Sequence, residues 1–318
     1  MISYNTIKRT YENIKNYIHK TPLEFSRHLS SKDTEVYLKL ENQQKMNSFK
    51  VRGAFSKLTS LREDEKANGI LAVSSGNHGA SVSYAASLLG IEKSKIYIPK
   101  TTPQAKVDKI EYYGSEVIKV GDTYDEAHNA AMSQMKKEKL TFIDPCSDDE
   151  VISGQGTIGL EILEDNPKID TIIVPIGGGG MITGISTFVK EVNPDIKIVG
   201  VQTEACPAMI KSLEDNKCYL EYPSEDTICD ALIGGVGEIP FKMANDCIDE
   251  ILEIKESTIK KAVGKLLVEE KIVSEPSGAI GVAALMDYPD KFKGKKIAVV
   301  ISGGNLDKWL MEEVLKEY

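Results

Sequence analysis

The chain has 318 residues, which is enough for one large or two modest globular domains. Hydrophobic residues make up 41% of it and charged residues 27%, values typical of soluble globular proteins. The net charge is −9 and no extended stripe of Lys and Arg is present, which argues against a nucleic acid or an anionic membrane as a partner.

Short β-branched segments alternate with helical patterns along most of the chain. From residue 70, strands are predicted at ILAV, KIYIP, SEVIKV and LTFID, with helices between them. From about residue 154, a helix is followed by predicted strands at TIIVPI and KIVGVQ, an irregular stretch at residues 214–245, and strands at ILEI and KIAVVIS. This alternation predicts an α/β fold of two units with mainly parallel sheets. Ligands of such folds bind at the carboxyl ends of strands, often between domains.

Three turns rich in Gly, Ser and Asn follow three of these predicted strands. Residues 74–79 (SSGNHG) and 177–180 (GGGG) each lead from a strand into a helix, and residues 302–305 (SGGN) follow KIAVVI. Backbone N–H groups at a helix start bind anions, and glycine lets the anion approach closely. A phosphate fits the glycine run and a carboxylate fits the SSGNHG turn. Taken singly, a tight turn or an ordinary N-cap explains each of them equally well.

A fourth segment, residues 48–54 (SFKVRGA), contains Lys50. In this order the four segments resemble the fold-type II pyridoxal-phosphate enzymes, and most closely their serine/threonine dehydratase and serine racemase branch. The family patterns S-F-K-x-R-G-A, S-S-G-N-H-G, the glycine loop and the terminal S-G-G-N are matched at residues 48–54, 74–79, 177–181 and 302–305. Residues 154–157 and 275–279 also fit, and the resemblance runs from about Ile18 to Asp307.

The resemblance implies an α/β fold like that of the tryptophan synthase β chain, with mainly parallel sheets in two domains and the active site between the domains. Residues 1–60 and 147–318 are expected to form the large domain, which binds the cofactor, and residues 61–146 the small domain. A homodimer is expected from the family.

The resemblance also implies a role for individual residues. Lys50 is expected to hold pyridoxal 5'-phosphate as a Schiff base and to act as a catalytic base once it is released, and Ser75 is the second catalytic candidate. The expected cofactor contacts are Phe49, Lys50, Asn77, Gly177, Gly178, Gly179, Gly180, Met181, Glu275, Ser302 and Gly303. The expected substrate contacts are Ser74, Ser75, Gly76, Asn77 and His78.

The function implied is elimination of water and ammonia from a hydroxy-amino acid such as L-threonine or L-serine, giving a 2-oxo acid. A neutral hydroxyl at the pyridine nitrogen, supplied by Ser302, suits elimination better than transamination. Racemases of the family carry a serine at the position of Ser75, whereas many dehydratases carry alanine, so a serine racemase using Lys50 and Ser75 as its two bases is an alternative. A non-catalytic or merely phosphate-binding α/β protein is a second alternative.

The chain departs from the family pattern at four residues in three segments. Met46 and Asn47 replace the usual Thr-Gly, and asparagine tolerates positive φ better than most residues. Ala231 replaces a glycine near the expected cofactor ring, where its methyl group would narrow the pocket. Gln202 replaces the metal-binding glutamate of the racemases, and an amide suits a hard cation less well than a carboxylate does. We therefore predict no metal site.

The cysteines and the N-terminus bear on the compartment. Five scattered cysteines, none in a C-x-x-C pair, predict free thiols in a reducing environment. The polar N-terminus lacks the apolar segment of a signal peptide. The sequence also contains no uninterrupted apolar run of about 18 residues, so no membrane span is predicted. These features predict a cytoplasmic location, and the family resemblance implies a small hydroxy-amino acid as the substrate.

Overall fold

The computed structural model describes residues 2–317. Its helices are α1 (Tyr4–Ile14), α2 (Lys50–Ser60), α3 (Glu63–Asn68), α4 (Asn77–Leu88), α5 (Gln104–Glu111), α6 (Tyr124–Glu138), α7 (Asp149–Asp165), α8 (Gly180–Val192), α9 (Ala208–Glu214), α10 (Glu238–Cys247), α11 (Glu256–Lys265), α12 (Pro276–Asp287) and α13 (Lys308–Glu317). Its strands are β1 (Leu23–Phe25), β2 (Glu35–Lys39), β3 (Ile70–Val73), β4 (Ser94–Ile98), β5 (Glu116–Lys119), β6 (Thr141–Phe142), β7 (Thr171–Pro175), β8 (Lys197–Thr203), β9 (Glu250–Ile254) and β10 (Lys296–Val300).

The strands form two sheets. One has six strands in the order β1-β2-β10-β7-β8-β9, and the other has four in the order β5-β4-β3-β6. In the first sheet β1 runs antiparallel to β2, while the remaining pairs of both sheets are parallel. The predicted α/β class with mainly parallel sheets is therefore confirmed. The four strands of the smaller sheet all lie within residues 61–146, the segment assigned above to the small domain.

Both faces of the six-stranded sheet are covered by helices. Ile173 and Val299 belong to one hydrophobic cluster, whereas their neighbours Ile172 and Val300 belong to another. Alternate side chains of a strand point to opposite faces, so the two clusters lie on opposite sides of the sheet. This double burial explains why β7 and β10 read as continuous apolar runs rather than as alternating patterns.

Helix α2 lies between the two sheets. Its residues Val51, Phe55 and Leu58 are fully buried in the cluster that also contains Ile70 and Ile96 of the smaller sheet. The backbone just before α2 contacts the six-stranded sheet, because Phe49 N donates to the carbonyl oxygen of Ser302, just after β10, at 3.1 Å. The lysine at the start of this helix is therefore held at the junction of the two sheets.

Helix α10 corrects one sequence prediction. Residues 214–245 were expected to be irregular, but Glu238–Cys247 is helical. Ala244 and Cys247 are buried and lie three residues apart, on one face of the helix. Ala244 packs in the hydrophobic cluster that contains Ile172 and Val300. Pro240 near the start masked the pattern, although proline is tolerated in the first turn of a helix. In residues 2–317, no helix combines the length and the apolar character needed to cross a membrane.

Candidate active site

Lys50 is the first residue of α2, and its side chain is half-buried. Its Nζ donates a hydrogen bond to the Pro145 carbonyl oxygen at 3.1 Å and lies 5.2 Å from the centre of the Phe49 ring. Burial lowers the pKa of Lys50, while Cys146 and Asp144 act in the opposite direction. An amine with a lowered pKa is more often unprotonated near neutral pH, which both a Schiff-base lysine and a general base require.

The glycine turn lies against the same segment. Gly179, with φ of +92°, is the N-cap of α8, and no side chain caps the first N–H groups of this helix. A Cβ on Gly178 would lie 2.5 Å from Cys146 Sγ, and one on Gly180 would lie 2.9 Å from the Cys146 carbonyl oxygen. The turn is therefore packed against Cys146, the neighbour of the residue that Lys50 contacts. Its helix start offers uncapped N–H groups to an anion.

The first turn of α4 is a second uncapped helix start. Its N-cap is Gly76, which has no side chain to offer, and Ser74 Oγ accepts a hydrogen bond from Gly76 N at 3.1 Å. The alternative in which Ser75 caps this helix is therefore not seen. Ser75 is half-buried, and its hydroxyl makes no hydrogen bond with any residue in the described part of the chain. The N–H groups of Asn77 and His78 open onto the turn, as carboxylate binding requires.

His78 is buried at the start of α4. Its Nε2 lies 2.8 Å from the Ile143 carbonyl oxygen, so Nε2 carries the proton, and Nδ1 is buried without a hydrogen-bond partner among the described residues. Burial, and secondarily the charge of Lys50, lower the pKa of His78 to about 3. The imidazole is therefore neutral, and it ties the start of α4 to the end of β6.

Glu275 joins the SSGNHG and SGGN turns. Asn77 Nδ2 donates to Glu275 Oε1 at 2.8 Å, and Asn305 N donates to Glu275 Oε2 at 3.2 Å. A Cβ on Gly303 would lie 2.3 Å from Glu275 Oε1, so only glycine fits there. Burial and the charge of Asp230 raise the pKa of Glu275 to about 7, although the hydrogen bonds from Asn77 and Asn305 oppose the shift.

Ser302 lies next to this group and is almost fully buried. Its Oγ donates a weak hydrogen bond to the Ser277 carbonyl oxygen at 3.4 Å. The structure thus brings together the strand-end turns that the sequence singled out, with Lys50 among them. They come from both sheets, as expected of a site between two units.

Comparison with known proteins identifies the family. A family model described as pyridoxal-phosphate dependent enzyme matches residues 14–303. The chain belongs to this family. The L-threonine ammonia-lyase of Thermotoga maritima is 40% identical over 319 residues, covering 100% of this chain and 79% of that protein. Maize serine racemase superimposes with a TM-score of 0.91 at 30% identity, covering 99% of this chain and 97% of that one. The threonine deaminase of T.th. gives a TM-score of 0.89 at 35% identity, covering 96% of this chain and 99% of that one.

These comparisons confirm the resemblance inferred from the four segments, and with it pyridoxal 5'-phosphate as the cofactor. The residues present fit this group. The uncapped start of α8 suits a phosphate, and a Cβ on Gly179 would lie 2.7 Å from Pro240 and 2.9 Å from Met209. A pyridoxal-phosphate enzyme also requires a lysine near its phosphate site. Lys50 meets this requirement, because it contacts Pro145 and the glycine turn packs against the adjacent Cys146.

Asp144 and Cys146 were missed by the sequence analysis. Asp144 Oδ1 accepts hydrogen bonds from Cys146 N at 2.8 Å and from Ser147 N at 2.5 Å, and so shapes the turn that contacts both Lys50 and the glycine run. Burial raises the pKa of the Cys146 thiol to about 12, so it stays neutral. Asp144 is the last residue of the predicted strand LTFID and Cys146 follows it, so the rule that sites lie at strand ends, applied there, would have found them.

The structure describes all three departures from the family pattern. Met46 and Asn47 have φ of +63° and +56°, so the position that the family gives to glycine is left-handed here. Ala231 is exposed, and its carbonyl oxygen would lie 3.2 Å from a Cβ on Gly177. Gln202 Oε1 accepts hydrogen bonds from Met209 N and Ile210 N at 3.0 and 3.1 Å, so its amide caps α9. No group of three or more His, Cys, Asp or Glu side chains within residues 2–317 is arranged to hold a metal ion.

Proposed function

We propose that this pyridoxal-phosphate-dependent enzyme is an ammonia-lyase that converts L-threonine or L-serine into the corresponding 2-oxo acid. The carrying observation is that Lys50, the two uncapped helix starts and the buried Ser302 hydroxyl lie together at the junction of the sheets. The relatives named L-threonine ammonia-lyase and threonine deaminase support this substrate class. The alternative of a non-catalytic or merely phosphate-binding protein is not supported, because the chain belongs to an enzyme family and carries the lysine that such chemistry needs.

The cofactor-binding roles are those that the family resemblance implies, and the hydrogen-bonding capacity of each group is compatible with them. The backbone N–H groups of residues 177–181 bind the phosphate, Asn77 contacts the ring hydroxyl, and Phe49 packs beside the ring. Ser302 would contact the pyridine nitrogen, and its neutral hydroxyl would not hold that nitrogen protonated as a carboxylate does. Glu275 and Gly303 support the ring edge, because Glu275 holds Asn77 in place.

The substrate-binding roles belong to the start of α4. The N–H groups of Ser75, Asn77 and His78 bind the substrate carboxylate, as the helix dipole and the absence of a capping side chain on Gly76 favour. Pyridoxal phosphate, when bound, joins the substrate amine and withdraws electrons from the α-carbon. Lys50 Nζ then removes the α-proton, and its lowered pKa favours the unprotonated form that this step needs. The β-hydroxyl leaves as water, one water is taken up again, and the nitrogen leaves as ammonia.

Replacing Lys50 tests the assignment. The protein purified with pyridoxal phosphate should show a visible absorption band that borohydride bleaches, and it should release 2-oxo acid from L-threonine, L-serine or L-threo-3-hydroxyaspartate. Lys50→Ala should lose the band and lower kcat by at least about 10³-fold. Lys45→Ala, on the turn just before α2, is the control and should keep both. Turnover that survives Lys50→Ala would contradict the proposal.

Ser75 supports racemisation as a side activity. Its hydroxyl has no hydrogen-bond partner among residues 2–317, so it is available to exchange a proton with a substrate held on the same turn. Chiral analysis of the serine left after incubation tests this point. We expect 2-oxo acid to exceed D-serine, and Ser75→Ala to abolish D-serine while most elimination remains. Elimination and D-serine lost to the same extent would assign Ser75 to substrate binding instead.

We further propose that the enzyme works in the cytoplasm as a homodimer, with residues 1–60 and 147–318 as its large domain and 61–146 as its small one. All five cysteines are free thiols, which supports a reducing compartment. The confinement of one sheet to residues 70–142 supports the domain division. Light scattering of the purified enzyme should give twice the mass of the chain; a monomer at working concentrations would contradict the dimer.

A further inference from the structure

Lys109 makes a contact that the proposed chemistry does not yet use. It lies on α5, which follows β4 of the four-stranded sheet, and its side chain is half-buried. Its Nζ donates a hydrogen bond to Asn305 Oδ1 at 2.8 Å. Asn305 follows β10 of the six-stranded sheet, so this contact crosses the junction at which the candidate site lies.

This contact fixes the orientation of the Asn305 amide. A lysine ammonium donates hydrogen bonds and cannot accept them, so the Asn305 oxygen must face Lys109. The Asn305 NH₂ group then faces the other way, where it donates to Asn77 Oδ1 at 2.6 Å and to the Met46 carbonyl oxygen at 3.0 Å. Both hydrogens of this amide are therefore engaged.

The orientation of Asn77 follows from that of Asn305. Because Asn77 Oδ1 accepts from Asn305, its NH₂ group faces Glu275, to which it donates at 2.8 Å. One N–H of Asn77 is used in this way and the other remains available. The relay from Lys109 through Asn305 to Asn77 thus adds to the contacts with the Met46 carbonyl oxygen and Glu275 that make Asn77 present an N–H, not an oxygen, to a bound group.

We propose that Lys109 is a positioning residue for the cofactor, which acts through Asn305 to make Asn77 present an N–H to the ring oxygen of pyridoxal phosphate. The inference rests on the proposed role of Asn77. A donor at this place stabilises a negative charge on the ring oxygen, whereas an amide oxygen would repel it. Without the cation the orientation of the Asn305 amide rests on the Met46 carbonyl oxygen and on a weak contact of 3.4 Å from Asn47 Nδ2. The turned orientations of the Asn305 and Asn77 amides then become more populated.

Lys106 provides a matched control on the same helix. It lies one turn before Lys109, and its Nζ pairs with Asp230 at 3.2 Å across the same junction, but it has no contact with either amide. A role that merely holds α5 in place is shared by both lysines. Of the two lysines, only Lys109 contacts an amide of the relay.

The experiment compares Lys109→Met, Lys106→Met and the wild type, each purified and then freed of cofactor. Pyridoxal phosphate is titrated into the apoprotein to obtain its Kd, and the visible band of the reloaded protein is followed as a function of pH. Lys109→Met should weaken the cofactor about tenfold, the value of one charge-assisted hydrogen bond, and should raise the pH midpoint of the band. Lys106→Met should change neither.

A second variant guards against misfolding of the first. Asn305→Asp cannot donate to Asn77 Oδ1, so it should reproduce both effects of Lys109→Met while the circular dichroism spectrum stays that of the wild type. Wild-type values of Kd and midpoint in Lys109→Met, or equal changes in Lys106→Met, would overturn the inference. A wild type without a lysine-dependent visible band would instead refute the proposed function, so the two failures are distinguishable.

Discussion

Burial controls the charge of single residues around the site. It lowers the pKa of Lys50, lowers that of His78 to about 3, and raises that of Cys146 to about 12. Two neighbours of Lys50, the His78 imidazole and the Cys146 thiol, are therefore neutral near pH 7. A surrounding of low polarity strengthens hydrogen bonds to any charge that develops on a bound ligand, which helps to explain why so few charged side chains are needed here.

Glu275 should make the stability of the apoprotein depend on pH. Its pKa is about 7 in the folded protein and 4.5 in a solvated reference. Between these values the folded state holds a proton that the unfolded state releases, so this residue lowers the free energy of unfolding as pH rises, by about 3 kcal/mol in all. His78, whose folded pKa is lowered, acts in the opposite direction below its usual pKa of 6.5.

Glu275→Gln isolates this contribution because it leaves His78 unchanged. Urea unfolding of the two apoproteins, from about pH 5 to about pH 8, should show that stability rises more steeply with pH in the variant than in the wild type. Parallel curves would mean that Glu275 is ionised throughout this range and that its burial is less costly than the structure indicates.

At the scale of elements, helices α7 and α8 pack unusually closely. A Cβ on Gly184 of α8 would lie 2.3 Å from the Ile152 carbonyl oxygen and 2.7 Å from Gly156 N, both backbone atoms of α7. Glycine at these positions lets the backbones of the two helices come into contact. This contact gives a structural reason for the glycines of residues 154–157 (GQGT), which fit the family pattern. Since α8 starts at the glycine turn, this packing also positions the proposed phosphate site.

Gly184→Ala should therefore destabilise the protein by about 2–3 kcal/mol and weaken pyridoxal phosphate as well, since α8 must shift. Gly159→Ala is the matched comparison on the same interface, because its Cβ would meet the Ile185 carbonyl oxygen at 3.0 Å. That variant should lose about 1 kcal/mol or less. Urea unfolding and cofactor titration check both effects, and equal losses in the two variants would contradict the argument.

The elements also show what the sequence could and could not predict. The strands ILAV, TIIVPI and KIAVVI were predictable because double burial makes them apolar throughout, and the turns after them stood out by composition. Helix α10 was not, since its pattern is short and contains Pro240. Lys50 was found only through the family motif, because a lysine alone carries no local signal. Lys109 and Gln202 gained their roles from tertiary contacts that no local pattern encodes.

At the scale of the whole molecule, a buried ion cluster fixes the helix that carries Lys50. The Arg52 guanidinium donates to both carboxylate oxygens of Glu41 and to both of Glu161, each at 2.8 Å. Lys39 Nζ adds a bond of 2.6 Å to Glu161, and all four side chains are fully buried. Two cations thus balance two anions, and the cluster connects α2, the end of β2 and α7.

Arg52→Met should cost about 3–5 kcal/mol of unfolding free energy, because it leaves two buried carboxylates with one lysine. The loss should hardly change between about 0.05 and 0.5 M NaCl, since salt does not screen a buried group effectively. Lys197→Met is the control, because it removes an ion pair at the surface, in which Lys197 Nζ lies 2.6 Å from a carboxylate oxygen of Glu250. It should cost less than about 1 kcal/mol, and less still at high salt.

Arg52→Met also distinguishes an effect on stability from an effect on the geometry of the site. Arg52 lies two residues after Lys50 and contacts no ligand-binding turn directly, so its loss should move the start of α2 and reduce kcat at temperatures where Arg52→Met is still folded. Circular dichroism establishes that range, and the borohydride-sensitive visible band reports the position of Lys50. A folded Arg52→Met with the wild-type band and wild-type kcat would show that the ion cluster stabilises the fold without positioning Lys50. The hydrogen bond from Phe49 N to the Ser302 carbonyl oxygen would then be sufficient to position this lysine.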